Sequence, residues 1–195
     1  MEIDPNSDAP GQCVAIIALG GGYLPSDLQQ AADANWHKPP AVADCAVNGM
    51  GNIFGFDPRA DQELALDIQV LAALVHSARI AVYFAANNED SLTAALRKAV
   101  ADNEASVVSI SWGSAESLWP EGMRAAAQSA LEDAAKRKVT VVAAAGDKLA
   151  TSDMADGAPH VLYPASSRWS SPVAEPRSPS MPRAARSRTS SYGTP

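Results

Sequence analysis

The chain has 195 residues, 47% of them hydrophobic, and a formal net charge of −7. That length and apolar share suffice for one domain with a sizeable core, and the acidic balance argues against a nucleic-acid binder, which would carry a basic footprint. No apolar run approaches the ~20 residues needed to span a bilayer, so no membrane association is expected.

Residues 1–10 read as an N-terminal arm. The opening Met1-Glu-Ile-Asp-Pro-Asn-Ser-Asp8 is acidic and lacks the charged-then-apolar layout of an export signal, which leaves the cellular location unassigned. Cys13-Val-Ala-Ile-Ile-Ala-Leu19 follows, a continuous apolar run stopped by Gly20-Gly-Gly22, as expected of a buried strand. Pro25 to Ala32 opens with Pro and an acid and predicts a helix. A weaker strand is expected over 41–47, ending in an Asn48-Gly49 turn. A helix is predicted over about 61–77 and a strand over 79–85. Residues 89–102 form a helix with Leu92, Leu96 and Val100 on one stripe. Strand 106–111 closes on Trp112-Gly113, an Ala-rich helix covers 121–137, and strand 139–145 closes on Gly146-Asp147. Strands alternating with helices of this length imply right-handed crossovers and a mostly parallel sheet. The fold class is therefore α/β. Cys13 and Cys45 are too few for a disulfide framework and read as small buried hydrophobes on strands.

Three places could carry chemistry. Glu63 and Asp67 are four residues apart, so a helix sets them on one face, about 6 Å apart along its axis. Val70, Leu71 and Leu74 share that face and the remaining faces are nearly as apolar, which predicts a buried helix. Two carboxyls survive burial together most easily when one holds a proton or both line a cleft, the arrangement that general acid/base chemistry uses at low pH. Asp61 and Glu63 could instead only complement the helix N-terminus, but Asp67 lies a full turn deeper. Asp147 and Ser111-Trp112-Gly113 fall at the carboxyl ends of strands, where open parallel sheets bind ligands. The Gly20-Gly-Gly22 run only half fits a dinucleotide fingerprint, because Pro25 stands at its third glycine and no clear ribose-binding acid follows. A nucleotide-binding module is thus a distant alternative. His37, His76 and His160 show no metal-ligand spacing.

Taken in order, these segments resemble one family. Gln12 to Tyr23, Glu63-Leu-Ala-Leu-Asp67, Arg79 to Ala86, Ser109-Ile-Ser-Trp-Gly113 and Ala143-Ala-Ala-Gly-Asp147 are similar to the ordered motifs of the sedolisins, the serine-carboxyl peptidases, over residues 11–167. The resemblance implies a subtilisin-like fold, a peptide or protein substrate and endopeptidase activity at acid pH. It implies Glu63 as general base for a serine, Asp67 as its orienting partner and Asp147 as the acidic oxyanion-hole residue. It also implies that Ser111, Trp112 and Gly113 form the edge that pairs with substrate backbone. The family's late Gly-Thr-Ser motif, which carries the nucleophile, is not in the sequence, and Lys148-Leu149 stands where Ser-Gly is expected. Without an attacking hydroxyl no turnover is expected, and a non-catalytic peptide-binding protein is the alternative. The family's calcium-binding segment is not matched either, so no cofactor or metal is expected in this chain.

Composition changes at residue 168. Residues 1–167 hold 10 basic and 21 acidic side chains, whereas 168–195 hold 5 Arg and 1 Glu among many Ser and Pro. Such a segment has no apolar period with which to offset its ordering entropy and is expected to be a disordered tail. Arg168 to Pro176 can be encoded so that the shifted frame reads Val-Val-Leu-Ala-Cys-Gly-Gly-Thr, close to the family's continuation. The tail is accordingly expected to be out-of-frame translation.

Overall fold

The computed structural model of the protein describes residues 9–35, 38–152 and 154–174. In chain order it forms β1 (Cys13–Leu19), α1 (Pro25–Asn35), β2 (Ala41–Ala46), α2 (Pro58–Leu74), β3 (Arg79–Ala85) and α3 (Glu89–Asp102). Then come β4 (Val107–Ile110), β5 (Ser114–Ala115), α4 (Glu121–Lys136), β6 (Thr140–Ala144), β7 (Leu162–Tyr163) and β8 (Ser171–Val173). Six strands make a parallel sheet in the order β2-β3-β1-β4-β6-β8, and β5 pairs antiparallel with β7 in a separate ribbon.

The apolar runs go to the centre of that sheet. All of β1 is buried, and β3 is buried from Ile80 onward, because helices cover both of their faces. Strand alternation divides the core in two. Ala15, Ile17, Tyr83, Val108, Ile110, Val141 and Ala143 pack with Leu92 and Leu96 of α3 and Ala127 and Leu131 of α4. On the opposite face Ile16, Ala18, Ile80, Val82 and Phe84 pack with Leu28 of α1 and Leu64 and Ile68 of α2.

Helix α2 departs from its expected form twice. It begins at Pro58 because Asp57 caps it, its carboxylate accepting from the backbone N–H of Arg59 and Ala60. It is also not buried all round. Ala60, Asp61, Leu64 and Ile68 face the sheet, whereas Leu66, Val70 and Leu74 are about half exposed. The apolar composition exceeds what one sheet face can cover.

The loop after β1 holds no room for a nucleotide. Gly21 has φ +64, and a Cβ there would lie 2.7 Å from the Asp61 nitrogen. Gly22 presses equally close to the backbone at Ile53. Asp61, buried, ties this loop down by accepting from Gly22 N–H (2.6 Å) and Gly55 N–H (2.9 Å). The glycines serve close packing of loop on helix, which overturns the dinucleotide alternative.

The Asn48-Gly49 turn forms as expected, both residues at positive φ beneath a Val47–Met50 bridge. The segment read as a tail from residue 168 starts within the described residues and differs from that expectation over its first turn of chain. Ser171–Val173 adds β8 to the edge of the sheet, and Ala145 N–H donates to Val173 O at 2.7 Å. The remainder, 175–195, lies outside the described residues.

Candidate active site

The site begins with strand parity. Val108 and Ile110 enter the α3–α4 core, so Ser109 and Ser111 turn to the α2 side of the sheet. There the Ser111 hydroxyl donates to Asp67 Oδ1 at 2.7 Å. The other carboxyl oxygen, Asp67 Oδ2, is sealed from solvent and has no hydrogen-bond partner among the described residues. Burial pushes the Asp67 carboxyl up to about 6; the Ser111 hydrogen bond opposes that rise and the nearby Glu63 adds to it.

Glu63 lies one turn earlier on the same helix, half-buried. Desolvation raises its carboxyl above the ordinary value, the charge of Asp147 raises it further, and a hydrogen bond from Ser111 works against both. Asp147, exposed just beyond β6, is thus near enough for its charge to act on Glu63. Ser111 and Asp147 line two adjoining clefts. One, of about 400 Å³, runs past Gly113, Ala115 and Leu162 to Met154. The other, of about 340 Å³, lies over Val142 and Ala144 beside Val173. No described helix covers this second stretch of sheet.

Glycine shapes the cleft's wall. A Cβ on Gly113 would come 2.9 Å from Tyr163 O, and one on Gly146, which has φ +99, would come 2.5 Å from Leu162 Cδ1. The β5–β7 ribbon thus seats against both strand ends only because side chains are missing there. Ser111 and Gly113 share the cleft with Asp147, but Trp112 does not. Its half-buried ring packs against the α3–α4 core and borders a separate cavity of about 160 Å³ with Asn88, Leu92 and Trp119.

Sequence reading took Ser111 only as a backbone edge and missed its hydroxyl as the partner of Asp67. The strand's alternation was the signal that could have found it. It also gave Asp61 only a helix-end role, where the structure makes it an acceptor for the distant Gly22 loop and for the nearby Gly55 loop. His160 was passed over as well. Its Nε2 meets the Asp156 carboxylate at 2.9 Å and its Nδ1 lies 3.5 Å from Ser117 Oγ, on the loop between β6 and β7 that forms the cleft's far wall. Among the described residues no three His, Cys, Asp or Glu side chains converge to hold a metal ion. No described helix is long and apolar enough to cross a membrane.

A profile of the subtilase family matches residues 51–193. Kumamolisin of Bacillus sp. (strain MN-32) is 44% identical over 165 residues, which cover 83% of this chain and 30% of that protein. Among solved structures, Pseudomonas sedolisin, a serine-carboxyl proteinase complexed with two molecules of pseudo-iodotyrostatin, superposes with a TM-score of 0.72. It is 26% identical, and the match covers 86% of this chain and 50% of that one. A lanthipeptide protease superposes with a TM-score of 0.51 at 25% identity, covering 70% of this chain and 40% of its own. The chain spans half or less of the length of each of these relatives.

Proposed function

The chain belongs to the subtilase family, on its sedolisin-like side, and we propose that it carries the acid/base and oxyanion groups of a serine-carboxyl endopeptidase without the nucleophile. The observation that carries this reading is the desolvated carboxyl pair Glu63 and Asp67, raised above ordinary carboxylate values and facing Asp147 at the open end of the sheet. Two desolvated acids that hold protons into the acid range suit hydrolysis at low pH.

In that reaction a serine hydroxyl adds to the carbonyl carbon of the scissile bond and its proton passes to Glu63. Asp67 keeps Glu63 oriented and basic. The oxygen that gains negative charge takes a hydrogen bond from Asp147, which a carboxyl can give only when protonated. Glu63 then returns the proton to the leaving amine, and water repeats the sequence on the acyl-enzyme. The substrate lies extended along Ser111-Trp112-Gly113, beyond the last paired residue of β4, where no described strand covers the backbone. Gly-Thr-Ser, which would supply the hydroxyl, does not occur in the 195 residues. This chain by itself is therefore expected not to cleave peptide, and a non-catalytic peptide-binding role is the alternative.

Two measurements test the reading. Denatured protein incubated with the purified chain between about pH 3 and 5 should stay intact; strong cleavage abolished by Glu63→Gln would reveal another nucleophile and overturn it. Sequencing the gene across codons 160–180 should show a shifted frame running on past Cys-Gly-Gly-Thr to Gly-Thr-Ser. With the frame restored, the product should cleave at acid pH and lose that activity in Glu63→Gln, Asp67→Asn and Asp147→Ala. An early stop in the shifted frame counts against the frameshift.

A further inference from the structure

The β5–β7 ribbon brings together a second group of side chains that the peptidase reading does not use. Its antiparallel register sets Ser114 against Tyr163 and Ala115 against Leu162, and Glu116 N–H donates to Val161 O at 2.9 Å. The same register carried one residue further puts Ser117 opposite His160. There Ser117 Oγ lies 3.5 Å from His160 Nδ1, and His160 Nε2 lies 2.9 and 3.0 Å from the two carboxyl oxygens of Asp156. The histidine is held through its backbone, its N–H donating to Ala150 O at 2.8 Å and its carbonyl accepting from Ser152 Oγ at 3.1 Å. Asp156 is held in turn by Ala158 N–H at 3.0 Å. An ionised carboxylate can only accept, so the proton of the neutral ring sits on Nε2, and Nδ1 is left to accept from Ser117. The ring is 15% exposed, whereas Ser117 opens to solvent. The Ser117–His160 spacing is long, as such contacts are before a substrate binds and tightens them.

We propose that Ser117, His160 and Asp156 form a second site, in which Ser117 is a nucleophile that takes the acyl group of small carboxylic esters. An exposed hydroxyl backed by an imidazole, itself oriented by a carboxylate, is the arrangement that activates a serine. Ser117 Oγ bonds to the ester carbonyl carbon while its proton passes to His160 Nδ1. The carbon–oxygen bond to the alcohol breaks, and the leaving alkoxide takes that proton from Nδ1. Water then adds to the acyl-serine, giving its proton to Nδ1, and the carboxylic acid departs as Ser117 Oγ recovers the proton. Asp156 keeps the Nε2 proton throughout and so holds Nδ1 as the accepting nitrogen. Esters are the class that suits this site, because an alkoxide leaves far more readily than the amine of a peptide bond.

The test mixes the full chain with p-nitrophenyl acetate at about pH 8, where a histidine ring is neutral and can accept a proton. Mass spectrometry of the digested chain then locates the acetyl group. Ser117 should carry it, and Ser117→Ala should remove that label. His160→Gln should slow acetylation of Ser117 about 100-fold, and Asp156→Asn should slow it by about tenfold at least. Acetyl groups confined to lysines or to other serines would overturn the proposal. So would a Ser117 rate unchanged in His160→Gln, which would reduce the contact to a fastening of the loop before β7. If His160→Gln does not fold, Asp156→Asn, whose side chain is 52% exposed, is read by the same criterion. Peptide cleavage at acid pH does not enter, so this site can fail while the roles of Glu63, Asp67 and Asp147 stand, and the reverse.

Discussion

Asp67 makes the chain's stability depend on pH in a direction opposite to that of a salt-bridged carboxylate. Its carboxyl is pushed up to about 6 from an ordinary 3.8, with burial as the main cause. Between those values the folded chain holds a proton that the unfolded chain has lost, so stability falls as pH rises through that window. The shift corresponds to about 3 kcal/mol. Asp67→Asn, which can still accept from Ser111, should match the parent chain near pH 3 and exceed its stability by about 3 kcal/mol at pH 7. Parallel urea midpoints across that range would disprove this account. Asp61 works by a different physics. It is the acceptor for two backbone N–H groups on separate loops, and Asp61→Ala leaves both unsatisfied at a cost of about 3 kcal/mol. Thermal unfolding reads that loss directly, and Asp61→Asn, which keeps one acceptor oxygen, should lose less.

At the scale of the element, α2 does two jobs with different faces. Leu64 and Ile68 anchor it on the sheet at 2% and 0% exposure. Leu64→Ala should cost about 3 kcal/mol in chemical unfolding, because the side chain leaves a cavity the rigid sheet cannot close. Leu66, Val70 and Leu74 bury little by comparison. Val70→Lys with Leu74→Lys should leave stability within about 0.5 kcal/mol of the parent chain in chemical unfolding. A loss like that of Leu64→Ala would show that the stripe is packed after all. The glycine loop sets where the helix can sit. Gly21→Ala combines positive φ with a contact at 2.7 Å to the Asp61 nitrogen, and nothing in rigid helix backbone can yield.

Across the whole molecule, the sheet is covered on both faces over β1 and β3 and left open on the α2 side over β4 and β6. That asymmetry makes the cleft. Ser111, bonded to Asp67 of α2, reaches it from the end of β4, Asp147 reaches it from the end of β6, and the β5–β7 ribbon walls it. At its outer edge β8 pairs with β6 through residues 171–173. Ending the chain at residue 167 would remove β8 and bare the edge of β6, so that form should melt at lower temperature and self-associate more readily. An unchanged melting curve would show that β8 contributes nothing to the sheet.

Much of this fold could be read directly from residue order. Continuous apolar runs placed β1, which Gly20 closes, and β3 to the residue, because strands buried on both faces have few polar positions to blur their ends. The stripe Leu92, Leu96, Val100 did the same for α3. The spacing of Glu63 and Asp67 put two carboxyls on one side of a helix, and strand-end position singled out Asp147. Tertiary structure decided what these local patterns could not. An all-apolar helix composition does not say which face is covered; only the sheet's width leaves Leu66, Val70 and Leu74 outside. Ribbon strands of two residues, such as β5 and β7, carry no periodicity, since they exist only by pairing across the cleft. A hydroxyl just beyond β4 and a carboxyl on α2, 44 residues apart, become partners through the crossover that lays α2 over the sheet. Long-range contact of that kind is set by topology and packing, and no window of sequence contains it.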